Sequence, residues 1–243
     1  MYKQLTIILL VGGLGTRIRA SIGSTPKILA QINNKEFILY LLKWIELSFN
    51  EIDYEIVLAT GFLHDKVQDF CIDKNLNLKL IREEKQLGTL GAANNAASIS
   101  HSENILIMNG DTIIDCNLDY PYSSYLSQDL PLLVTKRSKK NTRYGGYKLD
   151  HRTGFLRSES IDSDLISLGL LFTKKKNIST YAEMALHDDI KLPMIDQHFI
   201  SKTNCVSYIL EEDTDFIDIG TPESFQASQG IVPSILHKIV NSL

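Results

Sequence analysis

The residues with the clearest chemistry lie between the first apolar run and the first helix of the chain. The loop Gly12–Arg17 reads GGLGTR and follows the apolar run Leu5–Val11. Glycines in such a loop let backbone N–H groups approach phosphate oxygens, because no Cβ holds the ligand away. Arg17, and Lys27 directly after Pro26, add two cations for the same anionic group. The pattern predicts a phosphate-binding loop.

Two common phosphate motifs do not fit this loop. A dinucleotide fingerprint read from Gly13-Leu14-Gly15 needs a third glycine where Ile18 stands. The sequence GxxxxGK[ST], which marks a P-loop, does not occur in the chain. The loop therefore argues against a Rossmann-type oxidoreductase and against a P-loop enzyme.

Two aspartates are candidates for metal binding. Asp111 ends the segment Asn109-Gly110-Asp111, which follows the apolar run Ile105–Met108. Mg²⁺ prefers oxygen ligands and usually takes one or two carboxylates together with substrate phosphates. Asp218 precedes Gly-Thr-Pro-Glu, which taken alone is typical of a helix entry. Spacing alone does not bring two residues so far apart in the chain together.

The elements that must position these residues alternate between strands and helices in the first half. The predicted strands are Leu5–Leu10, Tyr54–Thr60, Leu78–Arg82 and Ile105–Met108, and the predicted helices are Phe37–Phe49, Gly61–Ile72 and Gly91–Ile99. This alternation predicts an α/β fold, with a mostly parallel mixed central sheet and helices on both faces. Ligands in such sheets bind at the carboxyl ends of the strands, where the glycine-rich loop and Asp111 fall.

The second half has a different pattern. Its predicted strands are Leu130–Lys136, Gly146–Leu149, Leu165–Thr173, Val206–Leu210 and Phe216–Ile219, with a helix at Ile178–Leu186 and a helical region from Pro222. The residues His151–Gly154 have turn chemistry and predict a hairpin.

Composition limits the class of protein. The 243 residues carry a formal net charge of -4, which argues against a general nucleic-acid binder. Cys71, Cys116 and Cys205 are far apart and lack metal-ligand spacing, so they indicate free thiols in a reducing compartment. The N-terminal apolar run is too short for a signal peptide or a membrane span. We expect a cytoplasmic protein without a membrane partner.

Together, the glycine-rich loop, Pro26-Lys27, Asn109-Gly110-Asp111 and Asp218–Glu223 resemble the sugar-phosphate nucleotidyltransferases. Within that family the chain looks most like heptose 1-phosphate guanylyltransferases and their mannose and cytidylyl relatives. The resemblance implies a Rossmann-like nucleotidyltransferase fold in a single domain over residues 1–243. Residues 1–120 would form the nucleotide-binding half, and residues 121–243 the sugar-phosphate half with a C-terminal helix.

The resemblance also implies an activity. Such enzymes transfer a nucleotidyl group from a nucleoside triphosphate, here GTP, to a sugar 1-phosphate and release pyrophosphate. The product is a nucleotide-activated sugar for surface-glycan synthesis. By this analogy Arg17 and Lys27 are catalytic, and Asp111 and Asp218 hold Mg²⁺. The implied nucleotide-binding residues are Val11, Gly12, Gly13, Gly15, Thr16, Gln86, Gly88, Thr89 and Asn109.

The sugar-phosphate side departs from the family pattern. Arg143–Gly146 is similar to the family's Arg-Tyr-Gly segment, so Gly146 is assigned to the sugar phosphate, together with Glu159 and Ser167. The family's Glu-Lys pair corresponds here to Glu159-Ser160, and its Asn-Ala-Gly segment to Ser167–Gly169. Losing that lysine removes a charge-assisted contact worth on the order of 1.5–3 kcal/mol.

These departures leave several interpretations open. The acceptor could be an unusual sugar phosphate, or a non-sugar phosphate such as a polyol phosphate. Alternatively, the chain is a non-catalytic paralogue that binds a nucleotide or a nucleotide sugar. Side chains alone do not decide the base. We expect the apolar segment Ile231–Leu243 to pack either on the domain or on a second copy of the chain. The second alternative would make the protein a homodimer.

Overall fold

The computed structural model describes residues 4–49, 51–138, 146–158, 163–195 and 199–242. Its strands are β1 (Leu5–Leu10), β2 (Gln31–Ile32), β3 (Lys35–Glu36), β4 (Tyr54–Thr60), β5 (Lys79–Arg82), β6 (Asn104–Asn109), β7 (Thr112–Ile114), β8 (Leu132–Arg137), β9 (Gly146–Leu149), β10 (Leu156–Ser158), β11 (Leu165–Lys174), β12 (Val206–Leu210) and β13 (Phe216–Asp218). Its helices are α1 (Arg19–Ile22), α2 (Phe37–Ser48), α3 (His64–Asp73), α4 (Gly88–Ser98), α5 (Asp119–Gln128), α6 (Lys175–His187) and α7 (Pro222–Ser242).

The centre of the main sheet is parallel, as the apolar runs predict. Strand β1 lies between β4 and β6, and β5 continues the sheet beyond β4. Strand β11 from the second half pairs antiparallel with β6, and β8 and β12 follow on the far side of β11. One mixed sheet therefore runs through both halves of the chain, and the carboxyl ends of β1, β4, β5 and β6 share one edge.

Helices cover both faces of this sheet. Alternate residues of β1 point in opposite directions, so that Leu5, Ile7 and Leu9 join one buried cluster and Ile8 joins the other. The first cluster includes α2 and α7, and the second includes α4 and α6. The predicted α/β fold with helices on both faces is confirmed.

The C-terminal helix packs on the rest of the chain. Val232, Ile235 and Ile239 of α7 are buried in the same cluster as α2. The turn between β2 and β3 also contacts α7, because Asn33 Nδ2 donates to the carbonyl oxygen of Gln229 at 2.8 Å. Pro233 has no N–H with which to reach that carbonyl, so the asparagine supplies the missing donor. No helix among the described residues is both long and apolar enough to cross a membrane.

Several boundaries differ from the sequence prediction. Helix α4 begins at Gly88 rather than at Gly91, and α3 begins at His64 rather than at Gly61. The later start of α3 has a local cause, since Leu63 adopts a positive φ of 60° and is not helical. Helix α5 and strand β7 were not predicted from the sequence. The turn at His151–Gly154 joins β9 to β10 as an antiparallel hairpin, as predicted.

Candidate active site at the carboxyl ends of the central strands

A cavity of about 430 Å³ lies at the carboxyl ends of β1, β4 and β6. Gly12 and Gly13 of the glycine-rich loop form one side, and the start of α4 forms another. Of the residues predicted to bind nucleotide, those that line it are Val11, Gly12, Gly13, Gln86, Gly88, Thr89 and Asn109. The volume suits a small organic ligand.

A second cavity, of about 300 Å³, lies between the glycine-rich loop and the turn before α7. Gly15 and Thr16 line it, together with Arg17 and Lys27. Gly15 has a φ of +60°, a conformation that glycine adopts without steric cost. Both predicted cations therefore face one cavity beside exposed loop backbone, which is the arrangement expected for phosphate groups.

Asp111 and Asp218 line a third, smaller cleft of about 150 Å³, with Arg17 and Thr112. Pairing between β7 and β13 brings the two aspartates together, because Thr112 lies opposite Asp218 in the register. The Ile219 N–H also donates to the carbonyl oxygen of Asp111 at 2.9 Å. The two candidate metal ligands are thus joined by strand pairing between distant parts of the chain.

Lys27 contacts one of these aspartates directly. Its Nζ lies 2.8 Å from Asp111 Oδ2, and Thr112 Oγ1 donates to Asp111 Oδ1 at 3.1 Å. Asp218 is buried, and its Oδ1 accepts the Gly220 N–H at 2.9 Å. Within the described residues, no group of three or more His, Cys, Asp and Glu residues could hold a metal. A pair of carboxylates next to a phosphate site fits Mg²⁺, which takes its remaining oxygens from phosphates and water.

Asn109 lies where three spaces meet. It lines the 430 Å³ cavity, the carboxylate cleft and a further cavity of about 240 Å³. Strand β11 makes room for it with a register shift between Ser167 and Leu170, at which Gly169 has a φ of +72°. A Cβ on Gly169 would collide with the Asn109 side chain, and the positive φ would strain any other residue, so both observations favour glycine there.

The sugar-phosphate residues are only partly brought together. Ser167 lines both the carboxylate cleft and the 240 Å³ cavity. Gly146 lies on β9 and pairs with Ile166, the neighbour of Ser167. Glu159, together with Ser160 and the Arg143–Gly145 part of the sugar segment, lies outside the described residues.

The sequence prediction missed Glu83, which lines the 430 Å³ cavity. Its carboxylate packs on Gly12 and Gly61, where an added Cβ would lie 2.7 Å from Oε1. Burial raises the pKa of Glu83, although the Leu87 N–H, which donates to Oε2 at 3.3 Å, acts in the opposite direction. Its position directly after a parallel strand, five residues before Gly88, was a signal that could have identified it.

The prediction also missed residues 192–195, which come from the second half. The Leu90 N–H donates to the carbonyl oxygen of Pro193 at 3.0 Å, and the Ile195 N–H donates to Thr89 Oγ1 at 3.0 Å. Leu192 and Met194 line the 430 Å³ cavity as a result. The Thr89 hydroxyl thus holds this segment against α4, a role that no local pattern reveals.

Comparison with known proteins agrees with this geometry. The sequence matches the nucleotidyl transferase family over residues 6–231. The chain belongs to that family. It is 29% identical, over 91% of its length and 96% of the relative's, to a D-glycero-alpha-D-manno-heptose 1-phosphate guanylyltransferase from Aneurinibacillus thermoaerophilus. Family membership confirms the resemblance, and with it that the chain is an enzyme of the nucleotidyltransferase class.

The fold agrees as well. The crystal structure of HddC from Yersinia pseudotuberculosis superposes with a TM-score of 0.74 and 26% identity, covering 94% of this chain and 98% of that one. A second structure of HddC, complexed with GMP-PN, gives a TM-score of 0.74 and 25% identity over the same shares. The predicted Rossmann-like nucleotidyltransferase fold is therefore confirmed.

Proposed function

We propose that this nucleotidyltransferase transfers a guanylyl group from GTP to a sugar 1-phosphate of hexose or heptose type, with release of pyrophosphate. The observation that carries the proposal is the meeting of four spaces. These are the base-sized cavity of about 430 Å³, the cationic loop cavity of about 300 Å³, the carboxylate cleft of about 150 Å³ and the acceptor cavity of about 240 Å³. Arg17, Lys27, Asp111 and Ser167 each line two of these spaces, and Asn109 lines three. A nucleotide and a second phosphate ester bound in these spaces would have their phosphates in contact.

Guanine is supported by Glu83. A carboxylate has two acceptor oxygens, and guanine presents two adjacent donors, N1–H and the N2 amino group. Adenine, cytosine and uracil each pair a donor on that edge with an acceptor that a carboxylate would repel. Because Glu83 lines the base-sized cavity, it favours guanine over the other bases. The guanylyltransferase names of the relatives support the same base.

The reaction needs positioning and charge neutralisation more than acid–base chemistry. An oxygen of the sugar phosphate attacks the α-phosphorus in line, and pyrophosphate leaves. Arg17 lines both the loop cavity and the carboxylate cleft, so it can stabilise the negative charge that develops on the leaving phosphates. Lys27 lines the loop cavity and the base-sized cavity and supplies a second cation. The acceptor phosphate is already anionic at neutral pH and needs no general base.

We propose Mg²⁺ as the cofactor, held by Asp111 and Asp218. When bound, it would neutralise phosphate charge and orient both substrates. Before the substrates bind, Lys27 compensates the charge of Asp111 through their 2.8 Å contact. We place the reaction in the cytoplasm, where nucleoside triphosphates are available, and its product in surface-glycan synthesis.

Pyrophosphate release tests the proposal. The purified chain is assayed with Mg²⁺, each of the common nucleoside triphosphates, and a panel of sugar and polyol 1-phosphates. We expect turnover with GTP and a sugar 1-phosphate. Turnover with only a polyol phosphate would mean that the acceptor is a polyol phosphate and not a sugar phosphate. Nucleotide binding without any turnover would favour a non-catalytic binding protein.

A further inference from the structure

The 240 Å³ cavity beside Asn109 differs in polarity from one end to the other. Its polar lining residues, Thr89, Asn109 and Ser167, also line the neighbouring cavities, so they lie where it opens onto the nucleotide and carboxylate spaces. The described residues that line this cavity and neither of those two are Ile107, Leu133, Gly169, Leu171 and Ile195. All four of their side chains are aliphatic and buried. As far as the described residues line it, the end away from the phosphates is therefore apolar.

Two of the polar residues at the opening, Thr89 and Ser167, already have contacts within the chain. The Thr89 hydroxyl accepts the Ile195 N–H at 3.0 Å and donates to Met194 Sδ at 3.9 Å. Ser167 Oγ accepts the Gly169 N–H at 3.2 Å, which leaves its own hydrogen to donate. Asn109 and Ser167 are thus suited to the part of an acceptor nearest its phosphate, and neither belongs to the apolar end.

We propose that the acceptor is a 6-deoxyhexose 1-phosphate, whose exocyclic methyl group occupies the apolar end; this inference rests on the proposed function. A hexose places one exocyclic hydroxyl group there, and a heptose places two. A hydroxyl buried against aliphatic side chains loses its hydrogen bonds to water and gains none, which costs free energy. A methyl group in the same place gains from burial.

Three acceptors of the same ring configuration test the inference. They are 6-deoxy-D-mannose 1-phosphate, D-mannose 1-phosphate and D-glycero-D-manno-heptose 1-phosphate, which carry none, one and two exocyclic hydroxyl groups. Their dissociation constants are measured by calorimetry on the full chain with Mg²⁺ and α,β-methylene GTP, so that no turnover is needed. We expect binding to weaken about tenfold from the first to the second, and again to the third. Equal affinities, the reverse order, or no binding of any of the three would overturn the inference.

A pair of variants locates the effect in the cavity. Ile195→Thr keeps the branch at Cβ and replaces the ethyl group by a hydroxyl at the apolar end, so the preference for the 6-deoxy acceptor over mannose 1-phosphate should narrow at least threefold. Ile190→Thr makes the same change five residues earlier, at a half-buried side chain that is not among the cavity's lining residues, and should leave the preference unchanged. An unchanged preference in Ile195→Thr, with its melting temperature retained, would contradict the assignment.

Failure of this inference is distinguishable from failure of the proposed function. Pyrophosphate release with mannose or heptose 1-phosphate, together with weaker binding of the 6-deoxy compound, would keep the function and remove the inference. The expected order of binding without pyrophosphate release from any of the three would keep the acceptor assignment and remove the transferase reaction.

Discussion

Glu55 lies near the amino end of β4 and Glu83 just past the carboxyl end of β5, so these two carboxylates occupy opposite ends of one parallel sheet. Glu55 accepts hydrogen bonds from Lys79 Nζ at 2.7 Å and from Thr6 Oγ1 at 2.8 Å, and also contacts His101. Burial acts to raise the pKa of Glu55, but these hydrogen bonds outweigh it and lower the pKa to about 2. Both oxygens of the Glu55 carboxylate therefore accept hydrogen bonds from other parts of the chain.

Glu83 has a different environment. The Leu87 N–H donates to its Oε2, and burial against Gly12 and Gly61 raises its pKa. One sheet thus uses the same residue type for two purposes. At the amino end the carboxylate joins strands, while at the carboxyl end a carboxylate is held at a cost in stability beside a cavity that a ligand can fill.

The largest effect on stability is expected at the amino-end network of Glu55. Glu55→Gln should lower the free energy of unfolding at pH 7 by about 3 kcal/mol, because a pKa that falls from about 4.5 to about 2 on folding corresponds to that amount. This stabilisation is present above the unfolded pKa and is lost as the pH falls towards 2. Urea denaturation at pH 7 and pH 3 measures it, and kcat/KM should stay within about twofold of wild type.

Glu46→Gln is the matched control, since Glu46 is exposed on the surface of α2 and pairs there with Lys43. It should change the free energy of unfolding by less than about 0.5 kcal/mol. An equal loss of unfolding free energy in both variants would mean that the Glu55 network contributes no more to stability than a surface ion pair.

The next prediction concerns catalytic activity at the carboxyl end of the sheet. Gly169→Ala should lower kcat/KM by about 100-fold, because the new Cβ displaces Asn109 from the point where the cavities meet, and positioning errors of this size cost about that much. Steady-state kinetics with GTP and the best sugar 1-phosphate measure it.

Gly154→Ala controls for backbone strain. Gly154 has a φ of +74°, close to that of Gly169, but no atom lies within 4 Å of an added Cβ. Both variants should lose similar stability from the positive φ, while Gly154→Ala keeps its activity. Full activity in Gly169→Ala would contradict the placement of Asn109.

A smaller effect on activity is expected for Glu83, with an effect on stability opposite to that of Glu55. Glu83→Gln should lower kcat/KM for GTP by about 10- to 30-fold, because one charged acceptor pair for guanine is replaced by an amide. Since its raised pKa means that the ionised form opposes folding above the unfolded pKa, the free energy of unfolding at pH 7 should stay the same or rise. The neighbouring Glu84→Gln, at an exposed side chain, should leave both quantities unchanged. Undiminished GTP preference in Glu83→Gln would remove the base assignment.

The smallest effect concerns the segment held against α4. Thr89→Val removes the hydroxyl that accepts the Ile195 N–H, so residues 192–195 should loosen and KM for GTP should rise about three- to fivefold with kcat little changed. Thr180→Val, at an exposed hydroxyl that donates to the carbonyl oxygen of Lys176, is the control. A change in kcat with no change in KM would place the role of Thr89 in the chemical step instead.

The sequence predicts the strands of the site well because they are buried on both faces. Strands β1, β4 and β6 appear as continuous apolar runs, and the residues that follow them carry the chemistry. Helix α5 was missed because its sequence DYPYSSYLSQ has no clear apolar period. Its buried tyrosines, Tyr122 and Tyr125, are recognisable only from their packing on Phe172.

The contacts that join distant parts of the chain at the site could not be predicted from local sequence patterns. Strand β7 has three residues, and its partner β13 lies about a hundred residues further along the chain, so spacing could not bring Asp111 and Asp218 together. The family resemblance implied that they meet, and the strand pairing shows the contact that brings them together. The contacts between Thr89 and Ile195 are equally distant in sequence. Local patterns describe single elements, whereas these pairings depend on the path of the whole chain.

Pyrophosphate release by Asp111→Asn is the decisive measurement, because Asp111 contacts Lys27 and lines the cleft in which we propose that Mg²⁺ and the phosphates of both substrates bind. With GTP, Mg²⁺ and a sugar 1-phosphate, we expect the wild-type chain to turn over and Asp111→Asn to lose activity by about 1,000-fold or more. Asp115→Asn, at a carboxylate that pairs with Lys238 outside the cleft, should retain it. Pyrophosphate release that survives in Asp111→Asn would contradict the metal and phosphate assignment.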